Sequence, residues 1–209
     1  MSTPTQRASL PRWVAGPLIA TLFMLMALLG AGNLSSAAGP ARMNAILLVA
    51  RPNLHDDPTF THAVVLVMNN LGPAPQGLIV NKPTPLPVSK LFPSVKALAK
   101  VPDRIYFGGP VELDEVWFLI RASTPPEHAI QTCPGLYFST SRALLMSLLS
   151  RRNPMENLRI FIGHAGWDPG QLRDEINEGA WKLEQARSAT IFSTPEHAWP
   201  EEPEPKNTI

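Results

Sequence analysis

The feature that most constrains the fold is the close spacing of short apolar runs along the chain. Residues 45–50 (AILLVA), 62–68 (HAVVLVM) and 77–80 (GLIV) are separated by turns rich in Pro, Asn, Asp and Gly. Short β-branched and aliphatic runs between such turns predict β-strands. Parallel neighbours need a crossover connection, usually a helix, and these connections are too short to hold one. The sequence therefore predicts antiparallel pairing.

The same pattern continues along the chain, where predicted strands outnumber predicted helices. Further strands are predicted at residues 104–107, 116–122, 135–138, 158–163, 181–186 and 190–192. We therefore predict a single α+β domain with a mostly antiparallel sheet rather than a doubly wound one.

Helices are predicted at three places. Residues 88–100 predict one or two short helical pieces, and residues 139–152 predict a longer helix capped by one of the Ser or Thr residues at 139–141. A third helix is predicted at residues 169–179, with Asp168 as its N-cap. The prolines in residues 81–87 predict irregular structure there.

The N-terminal segment has the pattern of an export signal. Its only charges are Arg7 and Arg12, and residues 13–30 form an uncharged apolar run followed by small and polar residues. This order of positive, apolar and small-residue regions predicts cleavage after Ala38. We accordingly divide the chain into a signal peptide or membrane anchor (1–38), a domain (39–192) and a Pro/Glu-rich tail (193–209).

Two alternatives to a cleaved signal stay open. The apolar run is almost as long as the roughly 20 residues that span a bilayer, so an uncleaved anchor is one of them. Translation from Met43 is the other, because a natural domain start follows it. A signal or an anchor predicts a domain in or facing the periplasm, with membrane contact only through an uncleaved segment, whereas a start at Met43 predicts a cytoplasmic domain.

Charge and cysteine content argue against two classes of function. Without Arg7 and Arg12, 16 basic residues remain against 17 acidic ones, a formal net charge of −1. Such a domain lacks the broad positive surface that drives nucleic-acid affinity. A single cysteine, Cys133, excludes an intrachain disulfide and a cysteine-based zinc site. No metal or cofactor site is predicted.

Candidate functional residues lie in polar turns and in two glycine-containing loops. Consecutive glycines allow close backbone approach, and a histidine at a strand end suits acid–base or ligand chemistry. Structural roles in turns, bends and the core are the competing interpretation for all of them. The candidate ligand-binding residues are Asp57, Asn81, Gly108, Gly109, His164, Trp167 and Gln171.

Five segments of the chain resemble the YqgE/AlgH family. They are LLVARPNLHDDPTF, GLIVNKP, FGGPV, GHAGWDPGQLRDEI and IFSTPEHAW, in the family's order across residues 45–199. The resemblance implies one α/β domain with a branched or barrel-like sheet surrounded by helices, in a largely uncharacterised family with a regulatory label. The positions matching the family motifs are Asp57, Asn81, Gly108, Gly109, Pro110, Gly166, Trp167, Gly170, Gln171 and Glu175.

The chain departs from the family pattern in two places. Ile120 and Arg121 stand where the resemblance predicts a Leu-His pair, and the export-like extension precedes the usual family start. Any role of that histidine is therefore absent or altered in this chain.

Three functions follow from these observations. The first is a non-enzymatic binding or regulatory domain whose partner is a small molecule or a protein. The second is a small hydrolase or ligand-binding enzyme with a pocket at the GGPV and GHAGWDPG loops. The third, a nucleic-acid-binding regulator, is disfavoured by the charge.

Overall fold

The computed structural model describes residues 45–52, 57–69 and 71–193, all within one compact unit. The predicted signal or anchor (1–38), Met43 and residues 194–209 lie outside these ranges, so their interpretations stay predictions. Within the described ranges, no helix has the length and apolar character needed to cross a membrane.

Ten strands make up most of the described structure. They are β1 (Ala45–Ala50), β2 (Val64–Met68), β3 (Gln76–Ile79), β4 (Pro83–Pro87), β5 (Arg104–Phe107), β6 (Val111–Arg121), β7 (Ile130–Cys133), β8 (Leu136–Ser139), β9 (Leu158–Gly166) and β10 (Trp181–Gln185). Eight of them follow the order β10-β1-β2-β3-β9-β6-β8-β7, with β4 and β5 attached beside β9.

In the part of the chain that the structure describes, short helical elements connect the strands. They are α1 (Val88–Leu91), the 3₁₀ turn Lys96–Leu98, α2 (Arg142–Leu149), α3 (Gln171–Asn177) and α4 (Ser188–Ile191). Helix α2 is the longest, and the Ser141 hydroxyl caps it by accepting a hydrogen bond from the Leu144 N–H at 3.3 Å.

Strand β9 is the point at which the sheet branches. One edge of β9 pairs antiparallel with β6. The other edge is shared, because β5 pairs in parallel at Phe161 and Ile162 while β3 pairs antiparallel at Ala165 and Gly166. Every other described strand pair is antiparallel, which confirms the predicted α+β domain with a mostly antiparallel, branched sheet.

The core has three parts, and two of them bury opposite faces of the sheet. In β2, Leu66 packs on one face with Phe161, whereas Val65 packs on the other face with Trp167. Burial on both faces explains why β2 is apolar at every position instead of alternating. The third part of the core lies between α1, α2 and the residues of β6 and β9 that face them.

Three local predictions were wrong. Residues 83–87 form strand β4, because β4 pairs only with β5, and an edge strand tolerates prolines that lack an N–H donor. Residues 188–191 form helix α4 rather than a strand, since a run of three apolar or β-branched residues does not establish a period. Helix α3 begins at Gln171 with Gly170, not Asp168, as its N-cap.

Candidate functional site

Asp57 and Asn81 hold the loop between β1 and β2. The Asp57 carboxylate accepts hydrogen bonds from the backbone N–H groups of Thr59 (2.7 Å) and Phe60 (3.2 Å). The Asn81 side chain accepts from the Val64 N–H at 2.9 Å and donates to the His62 carbonyl at 2.8 Å. Both side chains therefore act as backbone partners for residues 57–64, which is the turn role that their sequence context also allows.

Lys82 also binds the backbone of this loop, and the side chains of Asp57, Asn81 and Lys82 are together called the loop clamp below. Its ammonium donates to the carbonyl oxygens of Thr59 (2.7 Å) and Pro58 (3.2 Å). Burial lowers the pKa of Lys82, and the negative charge of Asp57 opposes that shift.

Gly108 and Gly109 lie where the chain runs so close to β9 that the two backbones are in contact. The Gly108 N–H donates to the Ile162 carbonyl and the Gly108 carbonyl accepts from the Ile79 N–H, both at 2.9 Å. A Cβ on Gly108 would lie 2.2 Å from the Gly163 carbonyl oxygen, and one on Gly109 would lie 2.3 Å from the backbone of His164. These glycines therefore join β3, β5 and β9 at the branch, where no side chain fits.

Trp167 and Gln171 belong to a hydrogen-bonded network centred on Glu175. One carboxylate oxygen, Oε2, accepts from the indole N–H groups of Trp167 (2.9 Å) and Trp181 (2.8 Å). The other, Oε1, accepts from the Gln171 amide at 2.8 Å. Phe60 packs against both tryptophan rings. The GWxxGQLxxE segment, residues 166–175, thus holds α3 and β10 against the end of β9.

His164 differs from the other candidates, because it is buried with one ring nitrogen that lacks a hydrogen bond. The residue is 3% exposed, and its Nδ1 forms no hydrogen bond. The imidazole stacks on Trp117 with centroids 4.3 Å apart, and Nδ1 lies 3.6 Å from a Glu112 carboxylate oxygen. Burial lowers the pKa of His164, against the opposing charges of Glu112 and Glu115.

The seven candidates therefore form three clusters rather than one pocket. Asp57 and Asn81 share the loop clamp, Gly108 and Gly109 contact the backbone of Gly163 and His164, and Trp167 and Gln171 share Glu175. Their role in ligand binding stays a prediction. Among the described residues, no group of three His, Cys, Asp or Glu side chains is arranged to hold a metal ion.

A cavity of about 480 Å³ lies elsewhere, at the end of α2, and is called the arginine cavity below. Three of its lining side chains are basic, Arg121, Arg151 and Arg152, and one is acidic, Glu156. Its apolar lining includes Ile120, Leu148 and Leu158, which are 3%, 3% and 4% exposed. Arg121 stands at a departure from the family pattern, but no sequence motif connects it with the other two arginines, which lie some thirty residues later.

A second cavity of similar volume adjoins the arginine cavity and shares Glu156 and Leu158 with it. Both of its guanidinium groups already have structural partners. Arg104 donates to the Pro85 carbonyl oxygen at 2.8 Å. Arg159 donates to the carbonyl oxygens of Ile191 and Ser193 and lies over the ring of Phe192. Arg159 therefore fastens α4 to β9, and burial lowers its pKa.

Comparison with known proteins decides the family. A sequence model described as AlgH-like matches residues 47–203. The chain belongs to the AlgH-like family. A UPF0301 protein of Streptomyces avermitilis is 37% identical over 163 residues, which cover 74% of this chain and 82% of the relative. A UPF0301 protein of Paraburkholderia phymatum is 34% identical over 155 residues, covering 71% and 79%.

Solved structures of AlgH-like proteins agree with the fold described above. The solution structure of the AlgH protein from Pseudomonas aeruginosa has a TM-score of 0.61 and 28% identity, covering 77% of this chain and 87% of that one. The crystal structure of a Corynebacterium diphtheriae protein has a TM-score of 0.58, covers 69% of this chain and 76% of that one, and at 23% identity supports the fold alone. The names of these proteins state no reaction or ligand.

Proposed function

We propose that this AlgH-like chain is a non-enzymatic binding domain that takes a small molecule in the arginine cavity. The observation that carries the proposal is the cavity itself. Its volume of about 480 Å³ lies within the range of roughly 300–1,000 Å³ that is usual for small-molecule sites. Its lining combines apolar residues with polar and charged ones, which can orient a bound ligand.

The surroundings of the cavity support this proposal. Its apolar lining comes from the core between α2 and the paired strands β6 and β9, so the site is built on ordered elements. Its charged side chains are exposed, which makes them accessible to a ligand. The AlgH-like motif residues, in contrast, have structural contacts. They bind the backbone of residues 57–64, pair Gly108 with β9 and form the hydrogen bonds of Glu175.

A small hydrolase is the second candidate, and one observation favours it. The unpartnered Nδ1 of buried His164 beside Glu112 is the kind of group that can accept a proton in a reaction. Neither His164 nor Glu112 lines either of the two cavities described above.

Ligand-induced stabilisation tests the proposed function. The purified chain is screened by thermal unfolding against a library of small acids, bases and neutral compounds. A compound at a hundredfold excess over its Kd raises the unfolding free energy by about 2.7 kcal/mol, or Tm by about 5–10 °C in a domain of this size. We expect Thr124→Trp, which fills the exposed rim of the cavity, to abolish the shift.

The matched control is Ala97→Trp, which adds the same indole at an exposed position outside the cavity. We expect it to bind as the unmodified chain does, and mass spectrometry to recover the bound compound unchanged. A compound that is converted to product by the chain but not by its His164→Ala variant supports the hydrolase instead. If every stabilising compound also stabilises Thr124→Trp equally, the ligand site is not the arginine cavity.

A further inference from the structure

We infer that the ligand of the arginine cavity is a small organic oxyanion, a phosphate monoester or a carboxylate with an apolar body, and that Arg121 binds it through both terminal nitrogens. This inference rests on the proposed function and adds the chemical class of the ligand. Its basis is the balance of charge in the cavity, the posture of Arg121 and the apolar lining.

The charge balance favours an anion. Arg121, Arg151 and Arg152 face a single carboxylate, that of Glu156. Among the described residues, no acidic side chain forms an ion pair with any of the three guanidinium groups. Uncompensated positive charge in a concave site attracts anions, and arginine is the residue best suited to phosphate and carboxylate geometry.

The contacts of Arg121 leave the two terminal NH₂ groups of its guanidinium available to a ligand. Its Nε donates to the Asn157 side-chain oxygen at 2.9 Å, and its backbone N–H donates to the Asn157 carbonyl at 2.9 Å. The guanidinium carbon lies 5.0 Å from the centre of the Phe192 ring. These contacts fix the plane of the group without using the two terminal NH₂ groups, which can therefore bind two oxygens of one anion.

The apolar lining favours an organic anion over a bare ion. Ile120, Leu148 and Leu158 lie in the core cluster beneath the cavity, whereas the lining residues Ala122 and Pro126 are partly exposed. A ligand whose apolar body covers Ala122 and Pro126 removes apolar surface from water and gains affinity that inorganic phosphate cannot gain. The volume of about 480 Å³ also exceeds what a single phosphate ion fills.

Titration calorimetry with matched probes tests the inference. The probes are phenyl phosphate, benzoate, inorganic phosphate and the neutral benzyl alcohol, each added to the full chain at low ionic strength. We expect phenyl phosphate and benzoate to bind more tightly than benzyl alcohol, phenyl phosphate more tightly than inorganic phosphate, and added salt to weaken the anions. Arg121→Gln should weaken phenyl phosphate by about tenfold to hundredfold, since a charge-assisted pair is lost.

Two further variants separate the contribution of the paired guanidinium donors to affinity from that of the positive charge. Arg121→Lys keeps the charge but not the paired donors, so it should also weaken binding. Arg173→Gln removes an equal charge from exposed helix α3, outside the cavity, and should leave affinity unchanged. Both substituted positions, 121 and 173, are exposed, and circular dichroism confirms that each of the three variants is folded.

The outcomes distinguish the inference from the function on which it rests. If benzyl alcohol binds as tightly as phenyl phosphate and Arg121→Gln changes neither affinity, the anion assignment is wrong, although the cavity still binds a ligand. Oxyanion binding that Arg121→Gln and Arg173→Gln reduce equally also overturns the assignment to this cavity. If neither these probes nor any library compound binds, the proposed function itself is wrong.

Discussion

Glu175 and His164 represent two ways in which this chain holds a polar side chain against its core. Glu175 satisfies three donors on neighbouring segments, namely the indole N–H groups of Trp167 and Trp181 and the amide of Gln171. His164 leaves Nδ1 without a partner although the residue is buried. The sequence singled out His164 by its position at a strand end. It did not predict the Trp117 stack, because that contact depends on the register between β6 and β9.

The buried imidazole of His164 predicts a pH-dependent stability. Because burial lowers the pKa of His164 in the native state, the unfolded chain takes up a proton at a higher pH than the folded chain does. The unfolding free energy should therefore fall as the pH drops below about 6.5, by at most about 1.4 kcal/mol per pH unit, until the folded-state pKa is passed. His164→Phe keeps a ring against Trp117 but cannot titrate, so it should remove this part of the slope.

Urea denaturation between pH 8 and pH 5 measures the effect as the difference between the chain and its variant. The control is His128→Asn, which removes an exposed histidine and should retain the slope. An identical pH dependence in His164→Phe and the unmodified chain would show that His164 does not couple folding to protonation.

At the scale of elements, the strands with apolar runs were predictable and the edge elements were not. Strands β1, β2 and β3 follow from β-branched runs between turns, and their antiparallel order follows from short connections. Strand β4 was missed because its three prolines normally exclude a ladder, and β7 because its four residues are half exposed and carry no strong pattern. Helix α4 was missed because the carbonyl oxygen of its last residue, Ile191, accepts a hydrogen bond from Arg159, which lies far away in sequence.

The close approach of Gly108 to the backbone of β9 predicts the effect of a substitution on the pairing of β5 with β9. Gly108→Ala places a Cβ 2.2 Å from the Gly163 carbonyl oxygen, so β5 and β9 must separate at the branch of the sheet. We expect a loss of about 3 kcal/mol or more in the unfolding free energy, because the displaced group is backbone and cannot rotate away.

Gly72→Ala is the matched control for this substitution, since a Cβ at that position meets no atom within 4 Å. Its unfolding free energy should change by no more than about 0.5 kcal/mol. Both variants are compared by urea denaturation. Equal stability of Gly108→Ala and Gly72→Ala would contradict the close crossing of the two backbones.

At the scale of the whole molecule, the fold class was predictable and the proposed site was not. Turn spacing indicates a mostly antiparallel sheet, but the parallel pair between β5 and β9 joins segments some fifty residues apart, which no local pattern reveals. The arginine cavity is likewise non-local. Arg121 ends β6, whereas Arg151 and Arg152 follow α2, and pairing of β6 with β9 brings the two regions together.

The proposed function places the ligand of this AlgH-like domain in the arginine cavity and not at the glycine-containing motif loops. Nuclear magnetic resonance of the ¹⁵N-labelled chain titrated with phenyl phosphate distinguishes the two sites, because each backbone amide reports its own environment. We expect the largest chemical-shift changes within residues 120–126 and 148–158, with little change at 108–109 and 164–171. The largest changes at 108–109 and 164–171, with residues 120–126 and 148–158 unaffected, would contradict this placement.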